Sequence, residues 1–568
     1  KSPEFDTIFE RTIEIIQRQV AHLREIASDI NFTVIELWDF FLSWLFNSLY
    51  DGLEVDQAGL ARIKKLAKDS PLVMVPCHKS HVDYLLLSYI FYQNDLSLPH
   101  VCAGINLNFW PLGSIFRKSG GYFIRRSMPG DALYPLALKS YVKELMREGY
   151  FQEFFIEGTR SRSGKLFPPK TGLLNMMVES FADGGVPDVF FVPVALGYER
   201  ILEEGAYLKE SKGAKKSKEK FTDLFRLPKF LRRRYGKVYM QFAEPISLRA
   251  TLQGQGETEA LAPAQLRPKV AELAERICIE INEVSTVMPS APVATALLAP
   301  HGRSILPQEV RDRSKLLLDF ARQKGARLSD SLKDKPEEAM EEVLAQFVAE
   351  GLVREHHDIE GRFLTVKDET RGHLEFFKNQ GIHVFAKESI EQLCEKRAPG
   401  NLQAVHDLLA KEFFFPTAGT PPSQAPQAPA WLSDVVLPVL ESYWLSLYVI
   451  EQIPFDKWDD RKLSQKILEL GETLKMRGSI EYYESLSRFP IQNAIARFVE
   501  MGILKNHVED MGPSGKKLFS PGPNLEVREN TLHLLETLLN KPRSQPGAKS
   551  DHSAFPNVFP LVPKSEKV

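Results

Sequence analysis

The sequence predicts a three-layer α/β domain followed by a mostly helical C-terminal region. Between Pro71 and Leu248, short apolar runs alternate with stretches of helical periodicity, as in a layered domain of strands and helices. Beyond Pro300 the periodicity is mainly helical. The chain has 568 residues, more than one hydrophobic core accommodates, so we expect at least two folding units.

Residues 1–65 are expected to form an N-terminal helical segment that associates with a membrane. Within it, the stretch from Phe32 to Tyr50, FTVIELWDFFLSWLFNSLY, is long enough to span a bilayer, but it contains Glu36 and Asp39 and many aromatic side chains. This composition favours a helix that lies in the membrane interface. The alternative is an aromatic helix packed against the neighbouring domain.

Charge and cysteine content narrow the functional class. The formal net charge is -2, so the chain as a whole has no electrostatic bias toward nucleic acid or anionic lipid. Its four cysteines are far apart in sequence and form no CxxC pair, which indicates a reducing compartment and argues against a zinc site or a disulfide framework. They are Cys77, Cys102, Cys278 and Cys394. We therefore expect a protein that faces the cytoplasm.

Six apolar runs within residues 66–250 have the length and composition of strands. They are LVMVP at 72–76, HVCAG at 100–104, YFIRR at 122–126, EFFIEG at 153–158, VFFVPVAL at 189–196 and VYMQF at 238–242. Helical periodicity covers residues 82–92, 132–147 and 173–182. We interpret residues 66–250 as a catalytic domain, because the polar turns after several of these strands carry reactive side chains.

The turn after the first of these strands, PCHKSHVDYLLLSY at 76–89, carries a histidine and an aspartate five residues apart. On one continuous helix, side chains five residues apart lie roughly 140° apart, so we expect His78 on the loop and Asp83 in the first helical turn. The carboxylate can then orient the imidazole and leave its other nitrogen as a general base. No GxSxG serine elbow lies near this turn, so direct attack by a substrate alcohol is the simplest chemistry.

Two other interpretations of this turn stay open. Cys77 is a rival nucleophile, although adjacent residues of an extended segment point to opposite sides, which disfavours a dyad with His78. His78, His81 and Asp83 could also bind a metal ion, but no later histidine or cysteine cluster completes such a site.

Three further segments end predicted strands at what should be the same edge of the sheet: GYFIRR at 121–126, FIEGTRSRSGK at 155–165 and FVPVALGYER at 191–200. Their cations suit a phosphate, and Gly158 permits close approach of the backbone to a ligand. These cations are Arg125, Arg126, Arg160, Arg162 and Lys165. The alternative is a set of surface arginines paired with the nearby glutamates, which are Glu153, Glu157 and Glu199.

A basic segment from Lys209 to Lys237 contains 12 lysine or arginine residues and three acidic ones. Phenylalanine and leucine side chains alternate with the cations in FTDLFRLPKFLRRR, as in a helix that lies on a surface. The segment therefore predicts contact with anionic membrane lipids. The alternative is an ordinary solvated face.

The C-terminal region contains a weak internal repeat. FVAEGLV at 347–353 is similar to FVEMGIL at 498–504, and each is followed by a charged turn and a short apolar run, which predicts two helix-then-hairpin units that resemble winged helices. These helices carry few cations, so we expect no nucleic acid partner. We assign 251–300 to connecting helices, 301–412 and 431–540 to helical subdomains, 413–430 to a Pro-rich linker and 541–568 to a disordered tail.

HKSHVD, GYFIRR, IEGTRSRSG and the proline of VPVALGY together resemble the four ordered blocks of the glycerolipid acyltransferases of the HxxxxD type. AGINLNFWPLG at 103–113, PPKTGLL at 168–174 and YERILEEGAYLKE at 198–210 resemble, more narrowly, the bacterial membrane-bound glycerol-3-phosphate acyltransferases. The likeness is strong from about residue 50 to residue 250 and faint in the C-terminal region.

This resemblance implies an α/β acyltransferase domain with a mixed sheet, in which His78 is the general base and Asp83 its partner. It also implies that Pro193 shapes the acyl-donor side. The residues that it places around glycerol phosphate are Lys79, Arg125, Arg126, Glu157, Gly158, Arg160 and Arg162. Known members use no metal and no bound cofactor.

The implied activity is transfer of a fatty acyl group from acyl-CoA or acyl carrier protein to glycerol 3-phosphate, giving 1-acylglycerol 3-phosphate, the first step of phospholipid synthesis. The implied location is peripheral, on the cytoplasmic face of the inner membrane, in contact with anionic lipids. Lys79 stands where an arginine is usual and Thr159 where a second glycine is usual, so dihydroxyacetone phosphate and lysophosphatidate stay open as acceptors. The non-enzymatic alternative is a membrane or nucleic-acid adaptor.

Overall fold

The computed structural model describes residues 3–125, 130–201, 234–253, 263–299, 304–359, 361–415, 428–453, 458–509 and 516–542. These residues form two compact units. The first contains residues up to 385 together with 412–415, and the second contains residues 386–411 and those from 428 onward.

A mixed sheet forms the centre of the first unit. Its strands, among the described residues, are β1 (Gly52–Val55), β2 (Leu72–Pro76), β3 (His100–Gly104), β4 (Gly121–Ile124), β5 (Gln152–Glu153), β6 (Phe190–Tyr198), β7 (Lys237–Phe242) and β8 (Ile246–Ser247). The spatial order is β1-β7-β6-β2-β5-β3-β4, with β8 paired to β6. Strands β2 to β6 are parallel, whereas β7 and β8 run antiparallel to β6. The carboxyl ends of β2, β4, β5 and β6 therefore lie at one edge of the sheet.

Helices cover the sheet and continue into a second module of the same unit, and the last of these helices runs past residue 385 into the second unit. They are α1 (Pro3–Ile26), α2 (Phe32–Leu49), α3 (Gln57–Leu66), α4 (Asp83–Tyr92), α5 (Leu112–Lys118), α6 (Leu133–Arg147), α7 (Gly172–Ala182), α8 (Leu248–Gln253), α9 (Pro263–Val284), α10 (Ser290–Leu298), α11 (Pro307–Gln323), α12 (Asp330–Asp334), α13 (Pro336–Ala349) and α14 (Asp368–Arg397). Helix α9 packs against β6 and β7, α7 packs on α9, α6 on α7 and α1 on α6. Helix α2 packs on α4 and α5.

The apolar runs of the sequence explain this core. All five residues of β2 are buried, as are eight of the nine residues of β6, as expected for central strands covered on both faces. Helix α2 buries one side, which consists of Ile35, Leu42, Leu45, Phe46 and Leu49. Its other side is exposed and still apolar, so this helix has both the packed face and the free apolar face that the sequence offered as alternatives.

The first predicted helix–hairpin unit is present in the first unit of the fold. Helix α13 is followed by an antiparallel hairpin of β10 (Val353–Asp358) and β11 (Gly361–Val366), and β9 (Ser304–Ile305) adds a third strand. This arrangement of α12, α13 and three strands is that of a winged helix.

The second helix–hairpin, formed by α18 (Arg488–Glu500), β12 (Leu504–Glu509) and β13 (Lys516–Pro521), belongs to the second compact unit. The other helices of this compact unit include α15 (Leu402–Leu408), α16 (Leu437–Gln452), α17 (Asp460–Met476) and α19 (Leu525–Leu539). Among the described residues, one segment is long and apolar enough to cross a membrane, Ala430–Gln452, and 89% of that window is buried inside the protein. That degree of burial is typical of the core helix of a folded unit.

Two predicted strands are shorter than their apolar runs. The run at 153–158 gives a strand of only two residues, Gln152–Glu153, because the chain turns at Gly158, whose φ is +61°. The run at 122–126 ends as a strand at Ile124. Strands β1 and β8 were not predicted from the sequence. Most of the basic segment, most of the Pro-rich linker and nearly all of the tail lie outside the described residues, and the predicted domain boundaries stay predictions.

Candidate active site

His78 and Asp83 lie where the sequence placed them, on the loop after β2 and in the first turn of α4. The imidazole Nδ1 is 3.0 Å from Asp83 Oδ2, and the two residues are 3% and 0% exposed. The same carboxylate oxygen accepts hydrogen bonds from the backbone N–H groups of Lys79 (2.6 Å) and Ser80 (2.8 Å). These donors fix the carboxylate against the loop that carries the histidine.

The other carboxylate oxygen of Asp83 accepts a hydrogen bond from the hydroxyl of Tyr198, at the end of β6. Asp83 is thus bound by groups from the loop, from His78 and from the neighbouring strand. Because that carboxylate can only accept, Nδ1 of His78 must carry the proton and Nε2 must present the lone pair.

The Nε2 atom of His78 faces Tyr84, whose hydroxyl oxygen lies 3.2 Å away. The imidazole also lies against the ring of Phe155, with ring centroids 4.0 Å apart. Burial lowers the pKa of His78 below its usual value; Asp83 opposes this shift, whereas Arg160 and His81 add to it. The histidine is therefore neutral at physiological pH, as a general base requires.

Glu157 supports the loop from the other side. Its Oε1 accepts from the backbone N–H of His78 at 2.7 Å, and its Oε2 accepts from that of Phe167 at 2.8 Å. Burial raises the pKa of Glu157 to about 8, although both backbone hydrogen bonds and Lys79 act in the opposite direction. Glu157 therefore ties the loop after β5 to the catalytic loop rather than pairing with an arginine.

Glu199 and Glu153, which the sequence offered as possible ion-pair partners of the arginines, have different surroundings. Glu199 accepts from the backbone N–H of Lys237 at 2.9 Å. Within the part of the chain that the structure describes, neither carboxyl oxygen of the fully buried Glu153 has a hydrogen-bond partner. Burial and the nearby Asp83 raise the pKa of Glu153 well above its usual value, so this side chain is a neutral acid.

Cys77 is a poor nucleophile in this setting. Burial raises the pKa of its thiol to about 12, so almost no thiolate forms near neutral pH. Its sulfur lies in the sheet, 3.2 Å from the backbone nitrogen of Leu196 and 3.5 Å from the carbonyl oxygen of the same residue. The geometry agrees with the expectation that Cys77 and His78 do not form a dyad.

Arg160 lies beside the catalytic loop. Its Nη1 is 2.9 Å from Nδ1 of His81, and the backbone N–H of Ser161 donates to the carbonyl oxygen of His78 at 2.6 Å. Arg160 and Arg162 are each 7% exposed and come from the same short loop. The loop after β5 thus brings Arg160 to the same edge as His78, as the sequence predicted.

Arg125 has other partners. Its guanidinium forms a two-point ion pair with Glu25 of α1, at 2.7 and 2.6 Å, and lies 3.2 Å from Asp131. It also stacks over the ring of Tyr134 at 4.5 Å. These contacts attach the N-terminal helix to the end of β4, so the predicted phosphate contact of Arg125 would compete with an ion pair. Arg126 lies outside the described residues.

Pro193 and Lys79 also occupy defined positions. Pro193 lies within β6 opposite Val75 of β2, and its carbonyl oxygen accepts from the backbone N–H of Ala243 at 3.0 Å. Lys79 is 8% exposed and, with Lys165, lines a second, polar cavity. Lys165 pairs there with Glu412.

An apolar cavity of about 80 Å³ lies on the Tyr84 side of His78. Helices α2 and α4 and strands β3 and β4 enclose it, and Tyr84 itself is part of its wall. The other wall residues include Ile35, Leu42, Leu85, Val101, Ala103, Leu107 and Phe116. An apolar space that ends next to a candidate general base suits a substrate with a hydrocarbon part.

The sequence interpretation did not identify Tyr84 and Tyr198 as site residues. Tyr84 directly follows Asp83 and starts an otherwise apolar helix, so its position was a usable signal. Tyr198 ends a strand at the catalytic edge, but it is 115 residues from Asp83, and no local pattern shows that contact.

Two family models match the chain. The Acyltransferase model matches residues 59–197, and the model of the glycerol-3-phosphate acyltransferase C-terminal region matches residues 207–425 and 416–507. The glycerol-3-phosphate acyltransferase of Aeromonas hydrophila is 31% identical to this chain over 582 aligned residues, which cover 96% of this chain and 67% of that protein. Among solved structures, the 1-acyl-sn-glycerophosphate (LPA) acyltransferase PlsC of Thermotoga maritima is 21% identical, with a TM-score of 0.26, covering 43% of this chain and 77% of its own.

Proposed function

Because the chain belongs to the glycerol-3-phosphate acyltransferase family, we propose that His78 is the general base that activates a hydroxyl of glycerol 3-phosphate for attack on a fatty acyl thioester. The activity itself, acylation of glycerol 3-phosphate, follows from the family. The proposal adds the roles of the residues, the primary hydroxyl as the site of acylation, and acyl-CoA or acyl carrier protein as the donor.

The observation that carries the proposal is the pair of hydrogen bonds on the imidazole. Nδ1 donates to Asp83, which fixes the tautomer, and Nε2 faces Tyr84, which forms part of the wall of the apolar cavity. Nε2 takes the proton of the acceptor hydroxyl while the oxygen attacks the thioester carbonyl carbon. The tetrahedral intermediate then breaks its carbon–sulfur bond, and the imidazolium returns the proton to the leaving thiolate.

The cavities and charges around His78 suit the two parts of the reaction. The apolar cavity beside Tyr84 accommodates the start of the acyl chain, and Arg160 and Arg162, on a loop bound to the His78 backbone, supply the charge for the phosphate. We propose the same role for Arg126. Every proposed step uses side chains and the two substrates, with no metal ion and no bound cofactor.

We also propose that the first two helices attach the protein to the cytoplasmic face of the inner membrane. Helix α2 exposes Phe32, Leu37, Phe40 and Trp44, and Phe40 is 80% exposed. A free apolar face rich in aromatic residues is typical of a helix that lies at a lipid surface. Attachment there would place the apolar cavity, which α2 borders, near the source of its acyl substrates.

The first experiment is release of free thiol from palmitoyl-CoA in detergent, with glycerol 3-phosphate, dihydroxyacetone phosphate or lysophosphatidate as the only acceptor. A positioned base contributes about 10²- to 10⁴-fold in rate, so His78→Ala should lose nearly all turnover. The matched control is His357→Ala, which removes an exposed histidine from strand β10. We expect turnover with glycerol 3-phosphate, normal in the control.

Near-normal turnover in His78→Ala would contradict the role of the base. Turnover with another acceptor alone would redirect the assignment of the substrate. Thiol release with palmitoyl-CoA but not with palmitoyl acyl carrier protein, or the reverse, identifies the donor.

A further inference from the structure

We propose that Tyr84 is a second catalytic residue, whose hydroxyl occupies the lone pair of His78 in the free enzyme and donates to the thioester carbonyl oxygen during acyl transfer. This inference rests on the proposed role of His78 as the base. The observations that carry it are the hydrogen bond to Nε2 and the position of Tyr84 between the base and the apolar cavity.

The direction of that hydrogen bond follows from the other side of the imidazole. Oδ2 of Asp83 already accepts two backbone N–H groups and can only accept from His78, so Nδ1 carries the proton. Nε2 is then an acceptor, and the Tyr84 hydroxyl, 3.2 Å away, is its donor. In the free enzyme the hydroxyl of Tyr84 therefore occupies the position that the acceptor hydroxyl must take during catalysis.

The ring of Tyr84 is held in this position. It lies edge-on to His78, with centroids 4.9 Å apart, and edge-on to Phe155, at 4.7 Å. The side chain of Tyr84 also forms part of the wall of the apolar cavity. If the acyl chain lies in that cavity, the thioester carbonyl must approach the cavity end next to Nε2, within reach of the same hydroxyl.

In the proposed steps, the hydroxyl of Tyr84 moves its hydrogen bond from Nε2 of His78 to the carbonyl oxygen, and the number of protons stays the same. The acceptor hydroxyl replaces Tyr84 on Nε2 and gives its proton to that nitrogen as its oxygen bonds to the carbonyl carbon. The carbonyl electron pair moves onto oxygen, where the Tyr84 O–H donates to the developing charge. When the pair returns, the carbon–sulfur bond breaks and the thiolate takes the proton from Nε2. Tyr84 then donates to Nε2 again.

A purely structural role for the hydroxyl is less consistent with the geometry. Asp83 already fixes the orientation and tautomer of the imidazole, and Phe155 packs against its face. The titratable groups that act on the pKa of His78 are Asp83, Arg160 and His81. The hydroxyl of Tyr84 adds no orientation that these contacts lack, so its removal should affect chemistry more than folding.

The test is Tyr84→Phe in the full chain, with Tyr141→Phe as the matched control. Tyr141 lies on α6 and bonds through its hydroxyl to Ser28 at 3.0 Å. Loss of an oxyanion donor lowers kcat by about 10²- to 10³-fold, so we expect a fall of that order in Tyr84→Phe. The KM for glycerol 3-phosphate and the melting temperature should change little in Tyr84→Phe, and Tyr141→Phe should keep the turnover of the wild type.

A second measurement in the same variants is the pH profile of kcat/KM, which reports the free enzyme. A hydrogen bond donated to Nε2 stabilises the neutral imidazole, so removing it should raise the pKa of His78 and move the acid limb of the profile to higher pH. A change in folding alone would not move this limb.

Two results would overturn the proposal: a kcat in Tyr84→Phe within about twofold of the wild type, or a lower kcat with an unmoved acid limb. If His78→Ala were inactive in the same assay, the role of His78 would stand and only that of Tyr84 would fall. Full activity in both His78→Ala and Tyr84→Phe would instead contradict the proposed function. Melting curves of each variant separate these outcomes from unfolding.

Discussion

The two ring nitrogens of His78 lie in different surroundings. Nδ1 is bound to a carboxylate that receives four donors, from His78, Lys79, Ser80 and Tyr198, whereas Nε2 faces a hydroxyl and an apolar space. The carboxylate fixes the tautomer, and the apolar side favours the uncharged ring. Both effects favour a neutral imidazole whose lone pair on Nε2 faces the Tyr84 hydroxyl, as the proposed base requires.

This environment predicts the pH dependence of the reaction. Burial lowers the pKa of His78 below the usual value of about 6.5, and the base works only when neutral. Activity should therefore be constant well above the pKa, and be lost as the pH falls through a midpoint below about 6.5. The measurement is kcat/KM for glycerol 3-phosphate across the acid range. A midpoint above this value would contradict the assigned environment.

A second residue-scale prediction concerns Arg125. Its ion pair with Glu25 is partly exposed, so its loss should lower the free energy of unfolding by only about 1 kcal/mol. If this structural contact is its role, Arg125→Gln and Glu25→Gln should destabilise the protein to a similar extent and leave the KM for glycerol 3-phosphate unchanged. Unfolding curves and kinetics of both variants provide the test. A large rise in KM for Arg125→Gln alone would show that this arginine binds phosphate.

At the scale of elements, the loop after β5 connects the catalytic turn to the helical module. Glu157 accepts from the His78 backbone, Ser161 donates to it, and further along Ser163 accepts from the Asn379 side chain of α14 at 2.8 Å. Gly164 makes this last contact possible. Its φ is +85°, and a Cβ there would overlap the carbonyl oxygen of Phe376.

Gly164→Ala should therefore cost on the order of 3 kcal/mol of stability and also reduce turnover, because the loop that positions Arg160 and His78 must shift. The matched control is Gly149→Ala, where φ is +77° but no atom lies within 4 Å of the added Cβ. The control should cost only about 1 kcal/mol, with turnover unchanged. Denaturant unfolding and thiol release measure both effects, and equal losses in the two variants would contradict this account of the loop.

At the scale of the whole molecule, His78, Asp83 and Arg160 lie within the acyltransferase-matched residues 59–197, but the polar cavity next to the catalytic loop does not. This cavity, of about 30 Å³, is lined by Lys79 and Glu157 and also by Gln380 and His383 of α14. Gln380 is 3% exposed, and neither of its amide atoms has a hydrogen-bond partner among the described residues. The C-terminal region thus encloses the back of the catalytic loop within the same compact unit.

The exposed face of α2 leads to a prediction about membrane binding. Phe40→Ser should lower partitioning onto vesicles of phosphatidylethanolamine and phosphatidylglycerol about five- to tenfold, because one large apolar side chain no longer leaves water. Met476→Ser is the matched control, since Met476 is equally exposed but lies in the second unit. Co-sedimentation measures both variants. Unchanged binding of Phe40→Ser, or an equal loss in the control, would show that α2 does not face lipid.

The sequence by itself determined the strands and helices around the site, the His78 and Asp83 pair, and the two helix–hairpin units. These features follow from local rules: the apolar period of a strand or helix, and the steric requirement that two residues five apart meet only across a loop–helix junction. The order of the four acyltransferase-like motifs, from HKSHVD to VPVALGY, can also be read directly from the sequence.

Only the tertiary structure decided the partners of the site residues. The contact between Tyr198 and Asp83 joins positions 115 residues apart, and that between Arg125 and Glu25 joins positions 100 apart. No periodicity encodes such pairs, because they arise when parallel strands bring their carboxyl ends to one edge and a separate helix packs beside them. The sequence therefore predicted candidate side chains for the chemistry, and the packing of the sheet and its helices determined which of them contact His78 and which stabilise the fold.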